Sequence, residues 1–154
     1  MEYRILGPLE VRAADGAVPV PGARPRAVLA VLLLHANQAV SAEQIAQALW
    51  GDEAPSGAVN TVQVHVSRLR KALGADDSES SVLVTRAPGY VLRLEPVSLD
   101  LQRFERLLAE GRRALADGDP ARAANALREA EGLWRGRPFA GGPSGIAARP
   151  RSGG

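Results

Sequence analysis

The stretch VNTVQVHVSRLRKAL, residues 59–73, decides the fold because it has two chemically different faces. Apolar residues recur at intervals of three or four and form one stripe along a helix. The positions of this stripe are Val59, Val62, Val66, Leu69 and Leu73. The opposite face contains arginine, lysine, asparagine and glutamine, and the whole stretch has no acidic residue. We therefore predict an amphipathic helix with an unneutralised basic face.

Two helices are predicted upstream of the basic helix. Residues 26–36 are apolar nearly all round and follow Pro25, which suits the first turn of a helix, so a central buried helix is expected. The sequence SAEQ at residues 41–44 is a capping box that begins a second helix. Trp50 and Gly51 end it, and residues 51–58 form a loop rich in Gly, Pro and Ser.

β-rich segments flank the three helices. At the start of the chain, YRILGPLEVR (residues 3–12) predicts one strand broken by its Gly-Pro pair, and residues 17–20 predict a second strand that completes a hairpin. After the basic helix, VLVTR (residues 82–86) and YVLRL (residues 90–94) are joined by Ala-Pro-Gly and predict another hairpin. The order of elements is that of a winged helix.

The C-terminal part differs in composition. Residues 101–116 and 120–134 predict two amphipathic helices that form a helical hairpin about the size of one tetratricopeptide unit. Such a unit is too small to stand alone, so we expect it to lean on the N-terminal part. The last stretch, residues 141–154, has Ile146 as its one large apolar residue and is expected to be disordered.

The expected fold class is therefore α+β. It comprises a winged helix-turn-helix with an N-terminal β-hairpin or small sheet, three helices and a C-terminal wing hairpin, followed by an all-α tetratricopeptide-like helical hairpin. The expected domains are residues 1–96, residues 97–140 and the tail 141–154.

Composition excludes several classes of function. The chain has no cysteine, which rules out disulfide and zinc-thiolate chemistry. It has no phosphate loop, metal-ligand spacing, nucleophile motif or paired carboxylates, so we expect neither an enzyme nor a metal or cofactor. The N-terminus does not resemble a signal peptide, and the longest apolar run is far short of a membrane span of roughly 20 residues. A cytoplasmic protein without a membrane partner is expected.

The basic helix has the chemistry of a helix that enters the DNA major groove. A non-acidic face suits phosphates, Gln63 can pair with adenine, and Arg68 can pair with guanine. Val64 is an apolar residue on a polar face and suits a thymine methyl group. Asn60 and Thr61, in the first turn, can bind a backbone phosphate. The alternative is an ordinary solvated face, although the two C-terminal helices mix acidic and basic residues.

The residues also resemble a known family. NTVQVHVSRLRKALG and VTRAPGYVLRL resemble the effector domain of OmpR/PhoB-type regulators. Together with YRILGPLEV, PRAVLAVLLLHANQAVS, IAQALWGDEAP and LWRGRPFAG, they resemble the Streptomyces antibiotic regulatory protein (SARP) family over residues 2–142. The resemblance implies a transcription activator, acting on secondary-metabolite gene clusters, with a winged helix fused to a bacterial transcriptional activation domain.

The resemblance also implies roles for individual residues. The helix of residues 59–73 would lie in the major groove, and the wing of residues 82–94 would lie at the adjacent minor groove, with Gly89 making the tight turn. The residues expected at base edges are Gln63, Val64, Ser67 and Arg68. The residues expected near the DNA backbone are Asn60, Thr61, His65, Arg70, Lys71 and Arg86. The loop expected to contact RNA polymerase contains Trp50, Asp52 and Glu53.

Two of these residues have competing interpretations. His65 is either a phosphate donor when protonated or a residue of the helix flank that packs on the wing. Trp50 is either a core residue or a loop residue near the DNA backbone.

Partners also follow from the resemblance. They are double-stranded DNA with direct repeats, the RNA polymerase holoenzyme and a second copy of the chain on DNA. The activation domain of the family usually has more helices, so the chain resembles a truncated member. A protein that competes for sites or partners without activating is the alternative function.

Overall fold

A computed structural model of the chain describes residues 1–75, 81–96 and 98–137. The strands are β1 (Glu2–Arg4), β2 (Glu10–Ala13), β3 (Gly16–Ala17), β4 (Val40–Ser41), β5 (Leu83–Arg86) and β6 (Gly89–Leu92). The helices are α1 (Ala23–Leu34), α2 (Ala42–Trp50), α3 (Ala58–Leu73), α4 (Asp100–Ala116) and α5 (Pro120–Gly132), with a 3-10 turn at Gly51–Glu53. The expected α+β winged-helix order is confirmed. The predicted tail, residues 141–154, lies outside the described residues.

The N-terminal segment forms a three-stranded antiparallel sheet in the order β1-β2-β3. The prediction of one broken strand over residues 3–12 was wrong, because the chain folds back and Tyr3 pairs with Val11. Gly7 lies in the connection between β1 and β2 with a φ of 147°, a conformation that favours glycine. The next strand is also shorter than expected and ends at Ala17.

The three helices α1, α2 and α3 enclose the main core. Helix α1 is buried nearly all round, as its composition predicts, with Val28, Leu29 and Leu32 fully buried. Helix α2 begins with the predicted capping box: the Gln44 amide donates to Ser41 Oγ at 3.0 Å, and the Ser41 amide donates to Gln44 Oε1 at 2.8 Å. These caps satisfy amides that the first helical turn leaves without partners.

Helix α3 buries the predicted apolar stripe against α1 and α2. Val62, Val66 and Leu69 are almost completely shielded from solvent. The helix ends at Gly74, which has a φ of 69°, and the Ala75 amide donates to the Arg70 carbonyl at 2.8 Å. This left-handed ending satisfies the last carbonyls of the helix. The orientation of α3 is thus set by its stripe, and its opposite face points away from the core.

The wing is part of a second three-stranded sheet, in the order β4-β6-β5. Strand β4 was not expected, since it is only two residues long and leads directly into α2. Gly89 pairs with Ser41, and a Cβ atom at Gly89 would lie 1.9 Å from the Val40 carbonyl oxygen. Gly89 is therefore required for the close approach of β4, and the tight-turn role expected for it is not the main constraint.

The helical hairpin α4–α5 leans on the N-terminal sheet, as expected. The Tyr3 amide donates to the Ser98 carbonyl at 2.8 Å, and Tyr3 forms a parallel bridge with Leu99. Burial raises the pKa of Tyr3 to about 12. Asp100 is 5% exposed and accepts hydrogen bonds from the amides of Ile5 at 2.8 Å and Leu6 at 3.0 Å.

The far end of the helical hairpin returns to the same place. The Arg135 amide donates to the Leu6 carbonyl at 2.7 Å, and its guanidinium donates to the Pro8 carbonyl at 3.0 Å. The guanidinium also lies 3.4 Å from Glu10 and 3.8 Å from Asp100. Both ends of the hairpin are therefore fixed to the β1–β2 connection by hydrogen bonds to backbone groups.

We expect Asp100→Ala to lower the free energy of unfolding by about 2–4 kcal/mol, because it leaves two buried amides without acceptors. Urea denaturation measures this change. The control is Asp117→Ala, which removes an exposed ion pair with Arg122 at 3.1 Å and should cost less than about 1 kcal/mol. Equal effects of the two substitutions would contradict the account.

Gly89→Ala should destabilise the chain by about 3 kcal/mol, because the added methyl group overlaps the backbone of β4. The matched control is Gly132→Ala at the end of α5, where a Cβ atom meets nothing within 4 Å. That substitution should be neutral or stabilise the helix by up to about 1 kcal/mol. A fully stable Gly89→Ala variant would show that β4 does not lie against β6.

Candidate nucleic-acid interface

The outward face of α3 is uncovered. All four residues expected at base edges are exposed: Gln63, Val64, Ser67 and Arg68. Val64 is 49% exposed, which is unusual for a valine in the middle of a helix. These residues lie on one side of α3 because α1 and α2 pack against the other side. The structure therefore brings them together on an accessible surface.

Among the described residues, the same face has no carboxylate as a countercharge. Within residues 1–75, 81–96 and 98–137, no carboxylate lies within 4.0 Å of Arg68 or Lys71. The first turn of α3 contains no acidic residue. A basic surface that the fold does not neutralise has the electrostatic character that phosphates require.

The first turn of α3 presents one of its two expected polar side chains. Asn60 is exposed. Thr61 is half-buried, and its hydroxyl donates to the Gly57 carbonyl at 3.2 Å. Asn60 is thus the side chain of this turn that is open to a phosphate.

His65 does not lie on this surface. It is 8% exposed, and its Nδ1 is buried without a hydrogen-bond partner among the described residues. Burial lowers the pKa of His65, and the nearby charges of Arg68 and Arg24 lower it further. A buried ring whose protonated form is disfavoured is poorly suited to donate to a phosphate, so the phosphate-donor interpretation of His65 is corrected.

Arg70 is also directed away from the outer face. Its Nε donates to the Leu83 carbonyl at 3.1 Å, and its Nη2 donates to Thr85 Oγ1 at 2.6 Å. The guanidinium carbon lies 5.9 Å from the centre of the Tyr90 ring. The role expected for Arg70 at the DNA backbone is therefore corrected: its side chain joins α3 to the wing.

The tip of the wing is exposed. Arg86 ends β5, faces solvent and pairs through its backbone with Gly89 across the turn. Its expected role at the DNA backbone stays a prediction.

The end of α2 and the 3-10 turn after it contain the residues expected to meet RNA polymerase. Trp50 is half-buried and packs against the core, in agreement with the first of its two interpretations. Asp52 and Glu53 are exposed in the 3-10 turn. The loop thus presents two carboxylates to solvent beside an anchored indole ring.

Arg24 was not predicted from the sequence as a residue of this site. It lies exposed at the start of α1, 4.9 Å from the centre of the Trp50 ring and close enough to His65 to lower its pKa. Arg24 is therefore a further exposed basic residue, on the first turn of α1 and within electrostatic reach of α3. The sequence contained a signal for Arg24. A positive charge in the first turn of a helix interacts unfavourably with the helix dipole, so an arginine at that position suggests a role outside the helix.

The part of the chain that the structure describes has no group of three or more metal-ligating side chains. None of its helices is both long enough and apolar enough to cross a membrane.

Comparison with known proteins identifies the class. The family model "Transcriptional regulatory protein, C terminal" matches residues 21–92. The model "Bacterial transcriptional activator domain" matches residues 99–152. The two matches follow each other along the chain, so the fold and site described above belong to a transcriptional regulator with a winged helix.

Two curated proteins with similar sequences show which kind of transcriptional regulator the chain resembles. The chain is 36% identical over 154 residues to the regulatory protein AfsR of Streptomyces griseus, spanning 99% of this chain and 15% of AfsR. It is 34% identical over 142 residues to the regulatory protein DnrI of Streptomyces peucetius, spanning 88% of this chain and 52% of DnrI. It covers about half or less of these relatives. Over residues 21–152 the chain therefore has the consecutive pair of domains that SARP-type transcriptional regulators share.

A solved structure supports the fold. EmbR of Mycobacterium tuberculosis, in complex with a low affinity phosphopeptide, is similar to this chain with a TM-score of 0.83 and 35% identity. The similarity covers 91% of this chain and 37% of that chain.

We expect the titration midpoint of His65 to lie below that of a histidine in the unfolded chain, as burial and two arginines dictate. Since the folded pKa is lowered, the contribution of His65 to stability is fully present above the unfolded value of about 6.5 and is lost as the pH falls below it, through the lowered folded pKa. NMR titration of the imidazole protons measures the midpoint. Arg68→Gln should raise it only part of the way, because burial is the larger cause. An unshifted midpoint would place His65 in solvent.

Proposed function

We propose that this regulator binds double-stranded DNA in a sequence-specific manner and activates transcription of secondary-metabolite genes. The observation that carries the proposal is the exposed outer face of α3, where Arg68 and Lys71 have no carboxylate partner among the described residues. A duplex with its regular array of phosphates supplies the countercharge.

Helix α3 enters the major groove in this proposal. Arg68 donates to the O6 and N7 atoms of a guanine, and Gln63 pairs with an adenine. Val64 contacts a thymine methyl group, and Ser67 hydrogen-bonds to a base edge beside them. These residues lie on successive turns of one exposed face, which is how a helix reads neighbouring base pairs.

The DNA backbone is bound around that helix. Asn60 and Lys71 contact phosphates at the N-terminal and C-terminal ends of α3, and Thr61 supports the contact of Asn60. Arg86 contacts the backbone at the adjacent minor groove. To this set we add Arg24. Its guanidinium stacks on the ring of Trp50, which holds the side chain in place beside α3. Each phosphate contact releases a condensed counterion and makes binding depend on salt.

Activation uses a different surface. The exposed carboxylates of Asp52 and Glu53 contact the RNA polymerase holoenzyme, with Trp50 anchoring their loop to the core. The chain binds direct repeats as a homodimer in the cytoplasm and performs no catalysis, in keeping with a family of transcriptional regulators.

We expect Arg68→Ala to relax the base preference at one position and to weaken binding to the preferred duplex by about 1–3 kcal/mol. The preferred duplex is first selected from a random library, and affinities for it and for single-base variants are measured by fluorescence anisotropy. Arg122→Ala on α5 is the control for loss of a positive charge elsewhere, and it should change neither affinity nor preference.

Lys71→Gln provides the contrast on the same helix. It should weaken all sequences about equally and reduce the slope of log K against log salt by about 1. If Arg68→Ala behaves in the same way as Lys71→Gln, Arg68 contacts phosphate and does not read a base. If the wild-type chain fails to bind any duplex at low salt, the proposed function is wrong.

A further inference from the structure

The side chain of Arg70 touches both strands of the wing. Nε and Nη2 donate to Leu83 and Thr85, two positions apart on β5. Thr85 pairs directly with Tyr90 of β6, and the guanidinium lies near the ring of that tyrosine. The guanidinium of Arg70 on α3 therefore contacts the Thr85–Tyr90 pair, the third of the four pairs between β5 and β6 and the one before the turn pair.

This geometry differs from that of a phosphate contact. Two nitrogens of the guanidinium are already bonded within the protein. Arg70 is also only half-exposed, whereas its neighbour Lys71 is exposed. A rigid fork that donates two hydrogen bonds fixes both the distance and the angle between the elements it joins, which a lysine at the same place cannot do.

The wing needs such a contact because its pairing to the rest of the fold is short. Strand β4 pairs with β6 at two positions only, Val40 with Tyr90 and Ser41 with Gly89. Both pairs lie at the β6 end that is close to the tip, and β5 is on the far side of β6 from β4. Leu83 anchors the base of β5 in the core. Arg70 adds a hydrogen bond to Thr85, nearer the tip, on the strand that β4 does not reach.

We propose that Arg70 is a positioning residue that sets the separation of α3 and the wing before DNA is bound. The inference rests on the proposed function, since it explains how contacts in two adjacent grooves are held in register. Preorganisation of this kind removes the cost of ordering the wing during binding. Arg70 thus increases affinity through Arg86 and the wing, without contacting DNA itself.

The first experiment measures the free protein. Because the chain has no cysteine, Ser67→Cys on α3 and Ala87→Cys in the wing turn, both exposed, accept spin labels at two sites only. Pulsed electron resonance should give one narrow distance distribution for otherwise wild-type protein. Arg70→Met should broaden it, and Lys71→Met, its neighbour on the same helix, should not. An unchanged distribution in Arg70→Met overturns the proposal.

A second variant covers the case in which Arg70→Met does not fold. Thr85→Val removes one of the two hydrogen bonds at an exposed position and leaves α3 untouched. It should broaden the distribution to a smaller extent at an unchanged Tm. A narrow distribution in Thr85→Val, with Arg70→Met unfolded, would assign Arg70 to the stability of the fold and overturn the positioning role.

The second experiment is a double-mutant cycle on the selected duplex. Arg86→Ala should weaken binding about tenfold in wild-type protein but less than about threefold in Arg70→Met, because the wing is no longer held at its groove. Additive losses, with a salt slope lowered by about 1 in Arg70→Met, would show a direct phosphate contact and contradict the proposal. If the wild type binds no duplex, the proposed function fails, while the distance measurement still decides whether Arg70 positions the wing.

Discussion

The structure depends on one constraint: α3 must bury its apolar stripe. Val62, Val66 and Leu69 fill the space beneath α1 and α2 and are almost fully shielded. Burial of such a side chain is worth roughly 1.5–3 kcal/mol, so rotating the helix to hide its other face would cost several times that amount. The face with Arg68 and Lys71 is consequently held in solvent. An acid-free face that is fixed outward has no neutralising partner in its own helix.

Contacts between segments that are far apart in the sequence hold the wing and the helical hairpin in place around α3. Gly89 lets the backbone of β4 approach β6, which ties the wing to the start of α2. Asp100 and Arg135 fix the helical hairpin to the β1–β2 connection through backbone amides and carbonyls. The hairpin therefore attaches at the N-terminal sheet and leaves the outer face of α3 open. In the proposed function, DNA contact and activation therefore use separate surfaces of the chain.

The sequence predicted those structural features that depend on residues close together along the chain. The capping box at Ser41, the stripe of α3 and the wing hairpin all follow from spacings of two to four residues. The pairing of β1 with β2, the short strand β4 and the contact of Asp100 with Ile5 did not follow, because each depends on how distant segments are placed. Among site residues, exposure on α3 was predictable from helical phase. The direction of a long side chain was not, since Arg70 turns to the wing and His65 lies at the edge of the stripe and is buried.

The most direct test of the outward basic face is NMR mapping of amide chemical shifts as a selected duplex is added to the wild-type chain. The account predicts that shifts concentrate on the exposed face of α3, from Asn60 to Lys71, and on the wing around Arg86, with α4 and α5 unaffected. Shifts that concentrate on α4 and α5, or the absence of any shift at α3, would contradict it.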